Sequence, residues 1–290
     1  MKDSEIAALI TLLDDDDQEV VSHVWSKIKS LGPSIVPILE NSWNPDFNLT
    51  QSERLEELIH EIQFDSLLNE IDTWLNSPTQ DLLRGYFLIS KYFFPELDST
   101  IIENKISKIR QRIWIELSNN QTPFEQIQIF NQVLYQQLAF KGDIEAAENT
   151  DFCINHILET KRGNPVSLGL FYIILAQSLQ LPIYGVCLKS YFILAFCKSN
   201  HLVFSNEEQL LNDVLFYLNP FQSGVIFSKT QIDDYLKRIG ADNDIANYAP
   251  ADTLTVLKEL LSYIIYVNQQ NPKSDARIVL EIGAILKKIG

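Results

Sequence analysis

The sequence predicts a predominantly helical α+β fold with a small antiparallel sheet. Apolar residues recur at three- and four-residue spacing from Ser4 to about Phe140, the periodicity of helices that bury one face. Between residues 183 and 227, short runs are rich in β-branched and aromatic residues, which is typical of strands. Helical spacing then returns and continues to Ile289. The 290 residues, 46% of them hydrophobic, suffice for one large domain or about two to three small ones.

The N-terminal region begins with a helix, an acidic turn and a second helix. The first helix carries one apolar stripe, which consists of Ile6, Leu9, Ile10 and Leu13. The turn Asp14–Asp17 offers a carboxylate N-cap to the second helix, which Gly32 ends, and a third helix begins at Ser34. This layout resembles a HEAT-type helical repeat.

Further helices fill the N-terminal half. Thr50 to Glu53 form a capping box that opens a helix predicted to end near Gln63. The spacing predicts later helices at Ser66 to Leu75, Thr79 to Phe94, Ser99 to Leu117, Phe124 to Phe140 and Asp151 to Thr160.

The second half mixes helices with strands. A helix is predicted from about Val166 to Leu179. Strands are predicted at Ile183 to Leu188, Tyr191 to Phe196, Val214 to Leu218 and Val225 to Phe227. Lys189-Ser190 and Ser199-Asn200 are natural turns, and such short links favour antiparallel pairing. Closing helices are predicted at Lys229 to Ile239, Ala251 to Asn268 and Ser274 to Ile289.

The last two helices resemble a tetratricopeptide-like hairpin. We therefore predict three regions: a helical HEAT-like region at residues 1–120, a mixed core at 121–245 and a C-terminal helical hairpin at 246–290.

The charge balance restricts the classes of partner. The chain has 38 acidic and 23 basic residues, a formal net charge of -15, which repels phosphate backbones and anionic lipid surfaces. Residues Met1 to Asp17 lack the basic start of a signal peptide, and no apolar run reaches the length of a membrane span. We expect a cytoplasmic protein that binds neither nucleic acid nor membranes.

The cysteines and acidic residues give no sign of a metal or cofactor site. Cys153, Cys187 and Cys197 are an odd set without a Cys-x-x-Cys or His-x3-His pattern, so neither disulfides nor zinc are expected. Free, buried thiols are the simplest interpretation. The run Asp14–Asp17 lacks the alternating ligands and central glycine of a calcium loop.

The segment Lys161 to Leu170 has the features of a nucleophile site. Gly163 and Pro165 precede a helix, and Ser167 lies in its first turn. Backbone N–H groups and the helix dipole stabilise negative charge there, and thiolate nucleophiles occur at such positions.

Four strings occur in order: R-G-N-P-V-S-L-G-L-F-Y, L-P-I-Y-G-V-C-L, Y-F-I-L and L-N-P-F-Q-S-G. Together they resemble the SirB-type branch of the bacterial transglutaminase-like proteins, with the specific motifs confined to about Glu159 to Gly224. The resemblance implies a helical N-terminal region, a transglutaminase-like (papain-like) core and a C-terminal tetratricopeptide-like hairpin.

The resemblance also identifies three positions for chemistry. In active transglutaminase-like enzymes a cysteine attacks the acyl carbon, a histidine takes its proton and an aspartate orients the histidine. These positions fall on Ser167, Tyr191 and Asn219 of this chain. A serine is common in the SirB-type branch, but a tyrosine with a pKa of about 10 is a poor base at neutral pH. Asn219 cannot stabilise an imidazolium by charge.

We therefore expect a non-catalytic module that binds a protein or peptide, with Arg162, Asn164 and Cys187 as further candidates to line its cleft. Several alternatives stay open. Ser167 is either a helix-capping hydroxyl or the nucleophile of a serine-dependent hydrolase or acyltransferase, with His201, His156 or Tyr191 as its base.

Overall fold

The computed structural model describes residues 3–43, 49–118, 120–145, 147–188, 191–204, 207–240 and 244–290. They group into two compact units, Met1–Asn76 and Ser77–Gly290. The three regions that the sequence predicts, with boundaries after residues 120 and 245, stay a prediction. The predominantly helical α+β class is confirmed, because both units are rich in helices and one small antiparallel sheet is present.

The first unit is helical. Its helices are α1 (Asp3–Thr11), α2 (Gln18–Lys29), α3 (Val36–Asn41) and α4 (Leu49–Leu75). Asp17 caps α2 as expected, since its Oδ1 accepts a hydrogen bond of 2.9 Å from the Glu19 N–H. The predicted stripe faces the core of this unit, where Ile6 and Ile10 of α1 and Leu13 of the 3-10 turn after it are buried. Whether the unit is HEAT-like stays a prediction.

The predicted break between Gln63 and Ser66 is wrong, because α4 runs through it without interruption. The segment has neither glycine nor proline, and the buried stripe continues through Ile62, Leu67 and Ile71. Ser66 lies within the helix rather than at its start.

The second unit contains the remaining helices and all described strands. Its first helices are α5 (Leu82–Phe93), α6 (Ser99–Trp114), α7 (Pro123–Asn131), α8 (Ile154–Thr160) and α9 (Pro165–Ser178). A π-helical segment, Gln132–Gln137, extends α7. Strands β1 (Lys141–Gly142) and β2 (Arg162–Gly163) form a short parallel pair immediately before α9.

Helix α9 is the centre of this unit. Every residue from Val166 to Ala176 is buried, so α9 has no polar face. It contacts α5, α6, α8 and α12 (Thr253–Gln270) as well as the sheet. A helix that is apolar on all sides is expected to be enclosed in this way.

The sheet has the antiparallel order β3-β4-β5-β6. Its strands are β3 (Ile183–Leu188), β4 (Tyr191–Cys197), β5 (Val214–Asn219) and β6 (Val225–Phe227). One face packs on α9, and the other forms a cluster with Ile232 and Leu236 of α11 (Lys229–Arg238). The predicted turn Lys189-Ser190 lies outside the described residues.

The predicted tight turn at Ser199-Asn200 does not join β4 directly to β5. Helix α10 (Glu207–Asp213) lies in this connection and buries Leu210. The chain ends with α12 and α13 (Ala276–Ile289), which pack on each other as the predicted helical hairpin. A bilayer-spanning helix is absent from the described parts of the chain, since no helix there combines sufficient length with sufficient apolar character.

Candidate functional site

The first turn of α9 is fixed by Asn164. Its Oδ1 accepts hydrogen bonds from the N–H groups of Val166 (3.1 Å) and Ser167 (2.9 Å), so Asn164 is the N-cap. The capping role considered for Ser167 therefore belongs to Asn164. Asn164, a candidate cleft residue, is only 1% exposed.

Ser167 is enclosed on all sides. Its exposed fraction is 0%, and its hydroxyl donates to the carbonyl of Asn164 at 3.4 Å. Gly163 closes the space before it, because a Cβ added there would lie 3.1 Å from the Ser167 Oγ. An acyl substrate cannot reach this hydroxyl without displacement of the surrounding chain.

Among the residues that the structure describes, Ser167 has no general base as a hydrogen-bond partner. The phenol of Tyr86 of α5 is a neighbour of Ser167. Burial raises the pKa of Tyr86 well above its usual value, and the Ser167 hydroxyl lowers that pKa by a smaller amount. The second unit has two histidines, His156 and His201, and neither hydrogen-bonds Ser167 among the described contacts. The Nε2 of His156 lies 3.0 Å from the Asp151 carboxylate, and His201 is exposed in the connection that follows β4.

Tyr191 lies on the sheet face that points away from α9. Alternate residues of a strand face opposite sides. Phe192 faces α9, because a Cβ added at Gly169 of that helix would lie 2.5 Å from the Phe192 ring. Tyr191 is 49% exposed, and its ring packs edge-on against Tyr235 of α11 at 5.2 Å. Ser167 and Tyr191, at the positions of the nucleophile and the base, therefore lie on opposite sides of the sheet.

Asn219 shares the sheet face of Tyr191. It ends β5 two residues after Tyr217, which belongs to the cluster with α11. Its Oδ1 accepts hydrogen bonds from the N–H groups of Phe221 (3.0 Å) and Gln222 (3.4 Å). Asn219 therefore caps the short 3-10 turn Pro220–Gln222.

The turn after Asn219 is tied to two helices. The Asn131 Nδ2 donates to the carbonyl of Gly224 at 2.9 Å, and the Asn131 Oδ1 accepts from the Tyr172 hydroxyl of α9 at 2.8 Å. The Tyr135 hydroxyl donates to the carbonyl of Pro220 at 2.8 Å. Gly224 has a φ of 71°, which favours glycine. The string N-P-F-Q-S-G therefore builds a rigid connection between β5 and β6.

Tyr191 and Asn219 line a shared cleft, which we name the outer cleft. It has a volume of about 340 Å³, and its further polar side chains are Gln222, Gln231, Tyr235 and Arg238. Arg238 is the only charged residue among the described residues that line it. Ser167, Arg162, Asn164 and Cys187 are not part of this lining.

Comparison with known proteins identifies the family. A model of the transglutaminase-like superfamily matches residues 101–262. The chain belongs to this superfamily. The match begins in α6 and contains α9 and the whole four-stranded sheet.

Individual relatives are distant. A UPF0162 protein of Vibrio cholerae is 25% identical over 171 residues, which cover 59% of this chain and 58% of the relative. A UPF0162 protein of Buchnera aphidicola is 24% identical over 197 residues, covering 66% and 65%. The human F-box only protein 21 is 23% identical over 175 residues, covering 52% and 28%. The chain thus spans less than two thirds of the length of each of these relatives. No solved structure gives a significant match.

The cysteine thiols of this transglutaminase-like chain are held protonated. Burial and the nearby carboxylates of Glu259 and Asp252 raise the pKa of Cys187 to about 12. Burial raises the pKa of Cys197 to about 12, and that of Cys153 also rises through burial. A thiolate nucleophile is therefore not available at neutral pH from any of the three.

Arg162 acts as a brace outside the outer cleft. Its Nη1 lies 2.9 Å from the Asp143 carboxylate, in an exposed ion pair that joins β2 to the segment after β1. The sequence interpretation did not include Gln231, Tyr235 and Arg238. They lie on α11, which follows β6 after a single residue. Because so short a connection keeps α11 close to the sheet, it is the sequence feature that could have predicted these residues.

Proposed function

We propose that this chain is a non-catalytic, SirB-type transglutaminase-like protein that binds a peptide or protein segment in the outer cleft and acts as a binding or regulatory module in the cytoplasm. One observation carries the proposal. Tyr191 and Asn219 line an open cleft on one face of the sheet, whereas Ser167 is buried on α9, which packs on the opposite face of the sheet. A nucleophile, base and orienter must share one site to act together.

The lining of the outer cleft supports binding. Two tyrosines and an arginine meet there with apolar side chains of the strands, and these residue types dominate the energetics of protein interfaces. The edge-on contact between Tyr191 and Tyr235 holds both rings in defined positions before a partner arrives. The net charge of -15 argues against nucleic acid as the partner.

Truncation of Tyr191 tests the binding proposal. The full chain and its Tyr191→Ala variant are used as baits in the cytoplasm of the source organism, and bound proteins are quantified by mass spectrometry. A central tyrosine contributes roughly 2 kcal/mol to binding, so recovery of the specific partners should fall by an order of magnitude or more.

Tyr266 on α12 provides the matched control, because it is a 58% exposed tyrosine that does not line the outer cleft. Tyr266→Ala should retain the partners of the wild type. Equal recovery by the wild type and both variants would argue against the outer cleft as the binding site.

A labelling experiment tests the absence of catalysis. The full chain is treated with a fluorophosphonate probe, in parallel with a Ser167→Ala variant and a known serine hydrolase. Because Ser167 is buried and no described residue is hydrogen-bonded to it as a base, we expect no labelling that depends on Ser167. Labelling of the wild type that disappears in the variant would establish the serine-dependent alternative.

A further inference from the structure

The sheet has one covered edge and one open edge. Along β3, the Ala251 N–H donates to the Gly185 carbonyl at 2.8 Å, and the two residues form an antiparallel bridge. At the opposite edge, β6 pairs with β5 only, and no described backbone group bonds its outer side. Open edges present N–H and C=O groups that another strand can pair with.

Strand β6 has one of the usual protections of an edge, its length of only three residues. Natural edge strands are also protected by lysine, proline or bulges that block pairing, and β6 has none of these within its three residues. The sequence of β6 is Val-Ile-Phe, its pairing with β5 is regular, and Val225 is 54% exposed. Asn131 holds the carbonyl of Gly224 before the strand, and a capping box at Ser228 begins α11 after it. The backbone of β6 is therefore held in place at both ends before a partner binds.

Clefts lie on both faces of β6. Val225 and Phe227 line the outer cleft, whereas Ile226 lines a second cleft of about 790 Å³. We name the second one the amide cleft, since its lining includes Gln128, Asn131, Gln132 and Gln136. An added strand has side chains that alternate between the two faces. Such a strand beside β6 would direct successive side chains into the outer cleft and the amide cleft in turn.

The two clefts are not acidic, although the chain as a whole is. Neither has a carboxylate among its described lining residues, although the chain carries a net charge of -15. Arg238 of the outer cleft is exposed and forms no ion pair within the described residues; its Nε donates to the Asp234 carbonyl at 3.4 Å. The guanidinium thus has donors left for a carboxylate from a partner.

We propose that an extended peptide segment adds to β6 as a further strand, with alternate side chains in the outer cleft and the amide cleft and an acidic side chain paired with Arg238. This inference rests on the proposed binding function and specifies its mode. Main-chain pairing supplies affinity in such complexes, and the pockets for alternate side chains supply the sequence preference.

Peptide selection tests the charge preference. A phage-displayed library of random peptides is selected against the full chain, its Arg238→Glu variant and its Lys237→Glu variant. Lys237 is the matched control, because it is an exposed cation on the same helix that does not line the cleft. We expect an acidic position in the peptides selected on the wild type and on Lys237→Glu, and a basic residue at that position on Arg238→Glu. Failure to select peptides, or the same preference on all three proteins, would overturn the inference.

Hydrogen exchange tests the strand addition. A synthetic peptide of the selected sequence should slow amide exchange in β6 without a similar effect in β3. N-methylation of alternate peptide amides, on the side that faces β6, should weaken binding by about tenfold or more, whereas methylation on the other side should not. A peptide that binds in a Tyr191-dependent manner without protecting β6 would overturn strand addition and leave the proposed binding function intact. The partner-recovery experiment with Tyr191→Ala judges that function independently.

Discussion

Replacing Gly169 with alanine is expected to lower the free energy of unfolding by about 2 kcal/mol, although Gly→Ala within a helix ordinarily raises it by about 1 kcal/mol. The reason is steric. A Cβ at this position would lie 2.5 Å from two carbons of the Phe192 ring, which is buried between α9 and the sheet. Chemical denaturation of the wild type and the variant measures the difference.

Gly283 provides the matched control for this substitution. It lies within α13, and a Cβ added there would meet nothing within 4 Å. Gly283→Ala should therefore raise the free energy of unfolding by about 0.5 to 1 kcal/mol. If both alanine variants were stabilised, close packing of α9 on Phe192 would be contradicted.

Replacing Asn131 with leucine is expected to lower the free energy of unfolding by about 2 to 4 kcal/mol. The Asn131 side chain is the shared partner of the Tyr172 hydroxyl and the Gly224 carbonyl. Leucine would leave both groups without their partner in a region where Tyr172 is 0% exposed, and an unmade buried hydrogen bond costs about 1 to 3 kcal/mol.

The control for Asn131→Leu is Gln128→Leu, an exposed position of the same helix whose side chain forms no hydrogen bond with the described residues. Its effect should stay within about 0.5 kcal/mol. Denaturation curves of both variants give the comparison, and equal effects would argue against Asn131 as the anchor of the turn before β6.

Much of the fold could be predicted from the sequence. Helix α9 is rich in apolar residues from Leu168 to Ala176, and the four strands are rich in β-branched and aromatic residues, so local patterns were sufficient for both. Local patterns were insufficient where packing against neighbouring elements decides the bounds or the position of a helix. Ser66 has the chemistry of a cap yet lies inside α4, and the short α10 depends on the burial of Leu210 for its position.

The candidate site was predicted less completely, for a physical reason. The motifs identified Tyr191 and Asn219, but the face of the sheet to which a strand residue points depends on what packs on that face. Gly169 decides it, because the missing side chain makes room for Phe192 and so directs Tyr191 to the other side. Ser167 is buried beside Gly163, which the motif includes, and beside Tyr86, which is distant in the sequence and which no motif indicates.

The central claim is that Tyr191 and α9 lie on opposite faces of the sheet, and a double-mutant cycle tests it most directly. Gly169→Ala is combined with Phe192→Leu and, separately, with Tyr191→Leu, and unfolding free energies are measured for all variants. We predict a coupling of about 1 kcal/mol or more with Phe192, since leucine removes the ring that a new Cβ would strike, and additivity within about 0.5 kcal/mol with Tyr191. Coupling of Gly169 to Tyr191 instead of Phe192 would place the tyrosine beside α9 and contradict the claim.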